Sequence, residues 1–445
     1  MKQHQTPSTN KSANGLFVQT METERTWFET KVLERFLRYV KVFTTSDPKS
    51  TNCPSTERQW DLARILEQEL KDLGIESVQL TEYGYVIARV PASKSYESSP
   101  SIVFCSHMDT SPDSPGEGVT PKLWKNYDGS ALDVGNGIRL DPQDNPELLR
   151  YVGETVITTD GSTLLGADDK AGIAEIMVGL EYLLTHPEIP RGPLEIVFTP
   201  DEEIGRGVDK LDVEGLSSVA GYTFDGSAEG TYNDQCFHAY AIGVTFTGRM
   251  IHPGTARGVM INAVSMAGAF IDALPRTESP EATDGTYGFY CPQEIQGRMD
   301  WAFFRLFIRD HSLDQIHRRI AFLESLAKTI EGAYPGSKVA VEVTKQYENL
   351  HPYVIKNPMI MEALIQGIRE TGIEPIPELI RGGTDGARMS ERGLPTPNIF
   401  AGGHNFHSTS EWIGLPALVR AAKTMVNIVR IWAESWRLEF NFPIP

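Results

Sequence analysis

The chain has 445 residues, 40% hydrophobic and 22% charged, with 59 acidic against 41 basic residues and a formal charge of -18. That length favours two domains over one core, and the acidic balance argues against a protein that grips phosphate backbones, which needs clustered Lys and Arg. Four scattered cysteines (Cys53, Cys105, Cys236, Cys291) form no CxxC pair and no apolar run approaches the ~20 residues of a membrane helix, so a cytoplasmic protein without a disulfide framework, nucleic acid or membrane partner is expected.

Residues 1–26 are rich in Gln, Thr, Ser, Asn and Lys, lack the apolar centre of a signal peptide, and read as a flexible tail. Val32, Phe36, Leu37, Val40 and Val42 predict a first helix. Leu62, Ile65, Leu66 and Leu70 predict a second over residues 57–73, followed by strands at 77–82 and 86–90. Four later segments share one pattern, an apolar strand running straight into acids or histidine. They are residues 101–109 ending in His107 and Asp109, 194–203 ending in Glu202 and Glu203, 221–225 ending in Asp225, and 397–404 with His407 just beyond. Between the first two, Asp168 and Asp169 open a helix carrying Ile173, Ile176, Met177, Leu180 and Leu184. Alternating strands and helices predict an α/β fold with a mainly parallel sheet, and ligands gather at the carboxyl ends of such strands. The polar clusters sit at those ends.

Residues from about 238 to 346 follow another order. Strand alternation at Tyr240–Phe246 precedes a helical stripe (Met260, Val264, Ala267, Ile271, Leu274). A further strand (Ala302–Ile308), a helix (Ile316, Leu323, Ala327, Ile330) and a last strand (Val339, Val341, Val343) follow. This is the order of a ferredoxin-like α+β unit. The expected organisation is a tail at 1–26, a catalytic domain in two parts at 27–235 and 349–445, and an inserted lid domain at 236–348.

Each polar cluster has an ordinary explanation when taken singly. A His-x-Asp pair on a strand occurs by chance, adjacent aspartates can cap a helix, adjacent glutamates are often solvated, Asp225 before Gly226 suits a turn, and His407 can be a surface histidine with His404 as its competitor. Together they supply two histidines and at least three carboxylates from separate strand ends. Nitrogen and oxygen donors without thiolate suit catalytic zinc, with Mn2+ or Co2+ as alternatives. Two ions sharing a carboxylate make a hydrolytic site.

The runs His107-Met-Asp-Thr-Ser-Pro-Asp113, Leu164-Leu-Gly-Ala-Asp-Asp-Lys-Ala-Gly172, Phe198-Thr-Pro-Asp-Glu-Glu203, His252-Pro-Gly-Thr-Ala256, Gly258-Val-Met-Ile-Asn262 and Ile380-Arg-Gly-Gly-Thr-Asp-Gly386 resemble the M20 metallopeptidase family, in its tripeptide-cleaving aminopeptidase branch. The resemblance spans about Leu33 to Arg430. It implies two Zn2+ per subunit, bridged by Asp168, with His107 and Asp225 on one ion and Glu203 and His407 on the other. It further implies Glu202 as general base, Asp109 as the residue orienting His107, and a cis bond between Asp168 and Asp169. His252, Asn262, Arg309 and Arg381 match positions that contact substrate, and the lid implies a homodimer. Short peptides are the implied substrates. The alternatives are a related hydrolase acting on dipeptides, acylated amino acids or C-terminal residues, and a non-catalytic homologue. The chain departs from the family in having His404 where tyrosine is common and in the glycine-poor segment 226–229.

Overall fold

A computed structural model describes residues 11–439, with side chains placed for 22–436. The chain forms two compact units. Among the described residues, the first comprises 11–232, 357–376 and 398–439, and the second 233–356 and 377–397.

The first unit is built on a sheet whose strands run in the order Ser77–Leu80, Val86–Val90, Leu194–Thr199, Ile102–His107, Ala220–Gly226, Asn398–Phe400, Thr231–Asn233 and Ile376–Pro377. The neighbours Leu194–Thr199, Ile102–His107, Ala220–Gly226 and Asn398–Phe400 pair in parallel, while Val86–Val90 is antiparallel to Leu194–Thr199. Ile102–His107 and Leu194–Thr199 are buried at every position. That is why they read as unbroken apolar runs rather than alternating ones. Because four strands point the same way, His107, Thr199, Asp225 and Phe400 come to one edge of the sheet.

Helix Ala167–Thr185 is buried on all sides from Ala171 to Leu180, which accounts for its apolar residues lying all round the axis. It packs closely on helix Leu415–Glu439, so closely that a Cβ on Gly179 would fall 2.8 Å from the Met425 sulfur. The first helix runs Lys11–Tyr39 and therefore starts well before the point near Trp27 where order was expected. Within it, Arg25 bonds Glu154 at 2.9 and 3.0 Å, and Glu24 pairs with Lys423 at 2.8 Å. Of the tail expected at residues 1–26, residues 1–10 lie outside the described residues.

A feature absent from the sequence reading is built from residues 122–158 and 403–414. A small sheet orders Gly403–His404, Trp412–Gly414, Val156–Thr158 and Lys122–Trp124 beside a hairpin of Leu132–Gly135 and Ile138–Leu140. Its core sets the aromatic rings of Tyr127, Tyr151 and Trp412 among Leu132, Leu148 and Val156. Strands of two to four residues are too short for a period to emerge from the sequence.

The second unit has the order strand, helix, two strands, helix, strand. Its antiparallel sheet runs Phe289–Arg298, Trp301–Asp310, His238–Thr247, Lys338–Tyr347. Ile242, Val244, Phe246, Phe304, Leu306 and Ile308 face a core shared with helices Ala263–Asp272 and Leu313–Ala333. The first of these helices presents Ala263, Met266, Ala267 and Phe270, at the i, i+3, i+4, i+7 spacing, rather than the stripe through Val264, which is exposed.

Candidate active site

Local structure aims each strand-end side chain. His107 is the last residue of its strand and its Nδ1 hydrogen-bonds the Asp109 carbonyl at 3.1 Å, with the Asp109 carboxylate at 3.5 Å. That partner leaves Nε2 to face the cluster. The Asp109 carboxylate, fully buried, also receives the backbone N–H groups of Glu202 at 2.9 Å and Glu203 at 3.2 Å. The turn carrying those glutamates is held from the other side by Asp201, which adopts a left-handed φ of 59°. Its carboxylate accepts from the Ser55 N–H at 2.7 Å, the Ser55 hydroxyl at 2.5 Å and Gln59 at 2.7 Å.

Asp168 does not cap its helix. Asp168 and Asp169 have non-helical backbone angles, and the peptide bond between them is cis. Asp168 Oδ1 lies 2.9 Å from His107 Nε2, and Asp168 Oδ2 lies 3.2 Å from His407 Nε2. The two oxygens of one carboxylate thus face two histidines. Asp225 Oδ1 is 3.7 Å from His107 Nε2, and Glu203 Oε2 is 2.9 Å from His407 Nε2. His407 enters from a loop with a left-handed φ of 60°, and its Nδ1 meets Asp113 at 3.3 Å. His404 lies elsewhere, stacked on Trp412 at 4.0 Å between ring centroids.

The electrostatics follow from crowding carboxylates where water is scarce. Burial and the neighbouring Asp168 raise Glu203 to about 8, and burial raises Asp225. Burial opposes charge on His107, yet Asp109, Asp168 and Asp225 outweigh it and hold the ring well above its ordinary value. His407 is raised to about 11 by its hydrogen bonds to Asp168 and Glu203. Asp168 is lowered despite burial, because both histidines stabilise its charge.

This donor set fits divalent cations. The groups His107, Asp168, Glu203 and His107, Asp169, Asp225 each bring ligand atoms within 4.8 Å of one another. Glu203 Oε1 is buried without a hydrogen-bond partner, an orphaned oxygen that a cation would satisfy. Asp169 stands beside Asp168 as a second candidate bridging carboxylate outside the expected ligand set, and its Oδ1, like Glu203 Oε1, is buried without a hydrogen-bond partner. Its Oδ2 is occupied by the Ser106 hydroxyl at 2.5 Å and the His107 N–H at 3.2 Å, so it braces the strand end.

Glu411 was missed by sequence reasoning. It is 1% exposed, accepts from the N–H groups of Leu165, Gly166 and Asp168, and is pushed up by burial to about 7. Its only signal was its place four residues after His407.

His252, Asn262, Arg309 and Arg381 belong to the second unit. His252 is exposed, and its Nδ1 accepts from the Gly254 N–H at 3.1 Å. Asn262 caps helix Ala263–Asp272 by accepting from Val264 and Ser265. Arg309 lies over the rings of Phe307 at 4.8 Å and Tyr347 at 5.6 Å. The Arg381 guanidinium is engaged with Thr283 and Tyr287, at 2.6 to 2.9 Å.

A parallel sheet that gathers histidines and carboxylates at its carboxyl edge belongs to the metal-dependent hydrolases. The chain belongs to the peptidase family M20/M25/M40, which it matches over residues 158–431. Within that family it resembles Peptidase T of Geobacillus thermodenitrificans, at 44% identity over 91% of this chain and 98% of that one. It also resembles Peptidase T of Clostridium perfringens, at 45% identity over 91% and 99%. The fold matches the aminopeptidase PepT of Bacillus cereus (TM-score 0.72, 22% identity, 91% and 99% covered). It also matches a dinuclear metal-binding M20 peptidase of Bacillus subtilis (TM-score 0.64, 14% identity, 92% and 99% covered). It is accordingly an enzyme, a metallo-aminopeptidase of the peptidase T-like kind.

Proposed function

We propose that the chain releases the N-terminal residue of tripeptides through a site for two divalent cations, zinc by the chemistry of its donors. The observation that carries this reading is the Asp168 carboxylate, whose two oxygens face His107 and His407 separately at 2.9 and 3.2 Å. His107, Asp225 and Asp168 would hold one ion, and His407, Glu203 and Asp168 the other. When bound, the pair supplies Lewis acidity that brings the pKa of water toward neutrality and polarises the scissile carbonyl.

The remaining work falls to the chain. Glu202 is not among the proposed ligands, and its backbone N–H is tied to Asp109, which fixes the turn that carries it next to Glu203 in sequence. Its carboxylate takes the proton of the attacking water and returns it to the leaving amine. Because Nδ1 of His252 accepts a hydrogen bond, that ring carries its proton on Nε2, the donor needed at the carbonyl oxygen as charge develops there. Arg309, with Asn262 and Arg381 on the same unit, is assigned to the peptide's terminal carboxylate, which suits a planar two-pronged donor. A homodimer through the second unit and a cytoplasmic location complete the proposal. No described helix is long and apolar enough to cross a membrane.

The test is cleavage of peptides of two to five residues, free and N-acetylated, with chelator and with added Zn2+. The proposal expects the free tripeptide to be cut fastest, acetylation to stop cleavage, and chelator to abolish activity that Zn2+ restores. Equal cleavage of the acetylated peptide would exclude an aminopeptidase.

A further inference from the structure

We infer that Glu411 is a positioning residue that ties the loop bearing His407 to the loop bearing Asp168, and so sets how tightly the ion between those two side chains is held. The inference rests on Asp168 and His407 being metal ligands, as proposed above. Three observations on one carboxylate carry it. Oε2 accepts from the N–H groups of Leu165 at 2.6 Å and Gly166 at 2.8 Å, and Oε1 accepts from the N–H of Asp168 itself at 3.1 Å.

The receiving end explains why a carboxylate is needed. Gly166 stands at the head of helix Ala167–Thr185 in a left-handed conformation, φ 77°, and offers no side-chain cap. The first N–H groups of a helix lack internal partners and carry partial positive charge, so an anion is favoured there. Here that anion comes from a segment remote in sequence rather than from the helix's own cap. The anchoring end explains why Glu411 can act as a tie. It leads directly into strand Trp412–Gly414, which is paired in register with Val156–Thr158. Four residues back along the same segment, His407 reaches Asp168 and Glu203 at 3.2 and 2.9 Å. One short stretch therefore delivers a ligand and also grips the backbone of the residue that ligand faces. Glu203 enters from the turn after strand Leu194–Thr199 and Asp225 from strand Ala220–Gly226, so Glu411 bears directly on the Asp168–His407 spacing and reaches the His107–Asp225 side only through the shared Asp168.

The experiment is a calorimetric Zn2+ titration of the chelator-stripped full-length chain, comparing the native protein with Glu411→Gln. Glutamine keeps the volume but offers one acceptor oxygen and turns an NH2 group toward backbone donors. The native protein should bind two ions. The variant should bind the ion between Asp168 and His407 roughly 10- to 100-fold more weakly, the usual cost of removing a partner that orients a ligand. Its affinity for the ion shared through Asp168 with His107 and Asp225 should fall by clearly less, so that the two binding steps separate. Unchanged affinity for both ions overturns the inference. Equal weakening of both overturns it in favour of a general structural role. A native protein that binds no ion defeats the metal-site reading instead. Should the variant fail to fold, hydrogen exchange on the native chain in chelator decides: protected amides at 165, 166 and 168 support the tie, and free exchange there overturns it.

Discussion

Replacing Asp109 by asparagine probes the join between fold and chemistry. The carboxylate is fully buried and receives two backbone N–H groups, from Glu202 at 2.9 Å and Glu203 at 3.2 Å, with His107 Nδ1 at 3.5 Å. Asparagine matches its shape, yet presents a single acceptor oxygen and places an NH2 where an acceptor stood. One charge-assisted bond of about 1.5–3 kcal/mol is lost, and an N–H at the glutamate turn is left facing another donor. The expected loss is about 3 kcal/mol of stability, measured by urea denaturation in chelator so that bound ions do not contribute. Turnover should fall more steeply than stability implies, because Glu202 and Glu203 hang from the same two bonds. A denaturation midpoint in chelator within error of the native one would refute the claim that Asp109 holds this turn.

Glu202→Gln should keep two ions, counted by metal analysis, while kcat falls roughly 100- to 10,000-fold, the contribution expected of a general base; native turnover would remove Glu202 from the mechanism. His404 is depressed by burial from the ordinary 6.5 to about 4. Its neutral form therefore contributes stability that is present above pH 6.5 and is lost as pH falls through 4, about 3 kcal/mol at most. His404→Phe, which preserves a ring against Trp412, should flatten the acid limb of the stability profile in that window. Gly172→Ala should destabilise by about 1–3 kcal/mol, because the added Cβ would meet the Phe224 carbonyl oxygen at 2.2 Å and Asp169 at 2.6 Å; a fully stable variant on thermal melting would contradict that packing.

The parallel strands were legible because both faces are buried, which leaves continuous apolar runs such as Ile102–His107 that end abruptly in polar residues. The second unit was legible for the opposite reason: one sheet face is covered, so Ile242, Val244 and Phe246 alternate with exposed or half-buried residues. Of the candidate site residues, His107, Glu203 and Asp225 stood out as polar groups at or just after strand ends. Glu411 did not, since its partners are backbone N–H groups some 245 positions away, a contact with no side-chain signature. The small sheet around Trp412 was hidden by the brevity of its strands, and the early start of the first helix by the polar composition of residues 11–26. Composition marks a polar segment as a tail unless its partners are known.

The most direct measurement is anomalous diffraction from zinc-loaded crystals. Two peaks about 3.5–4 Å apart, both touching Asp168, with His107 and Asp225 on one and His407 and Glu203 on the other, are what this arrangement of side chains predicts. A single peak, or two that do not share Asp168, would contradict it.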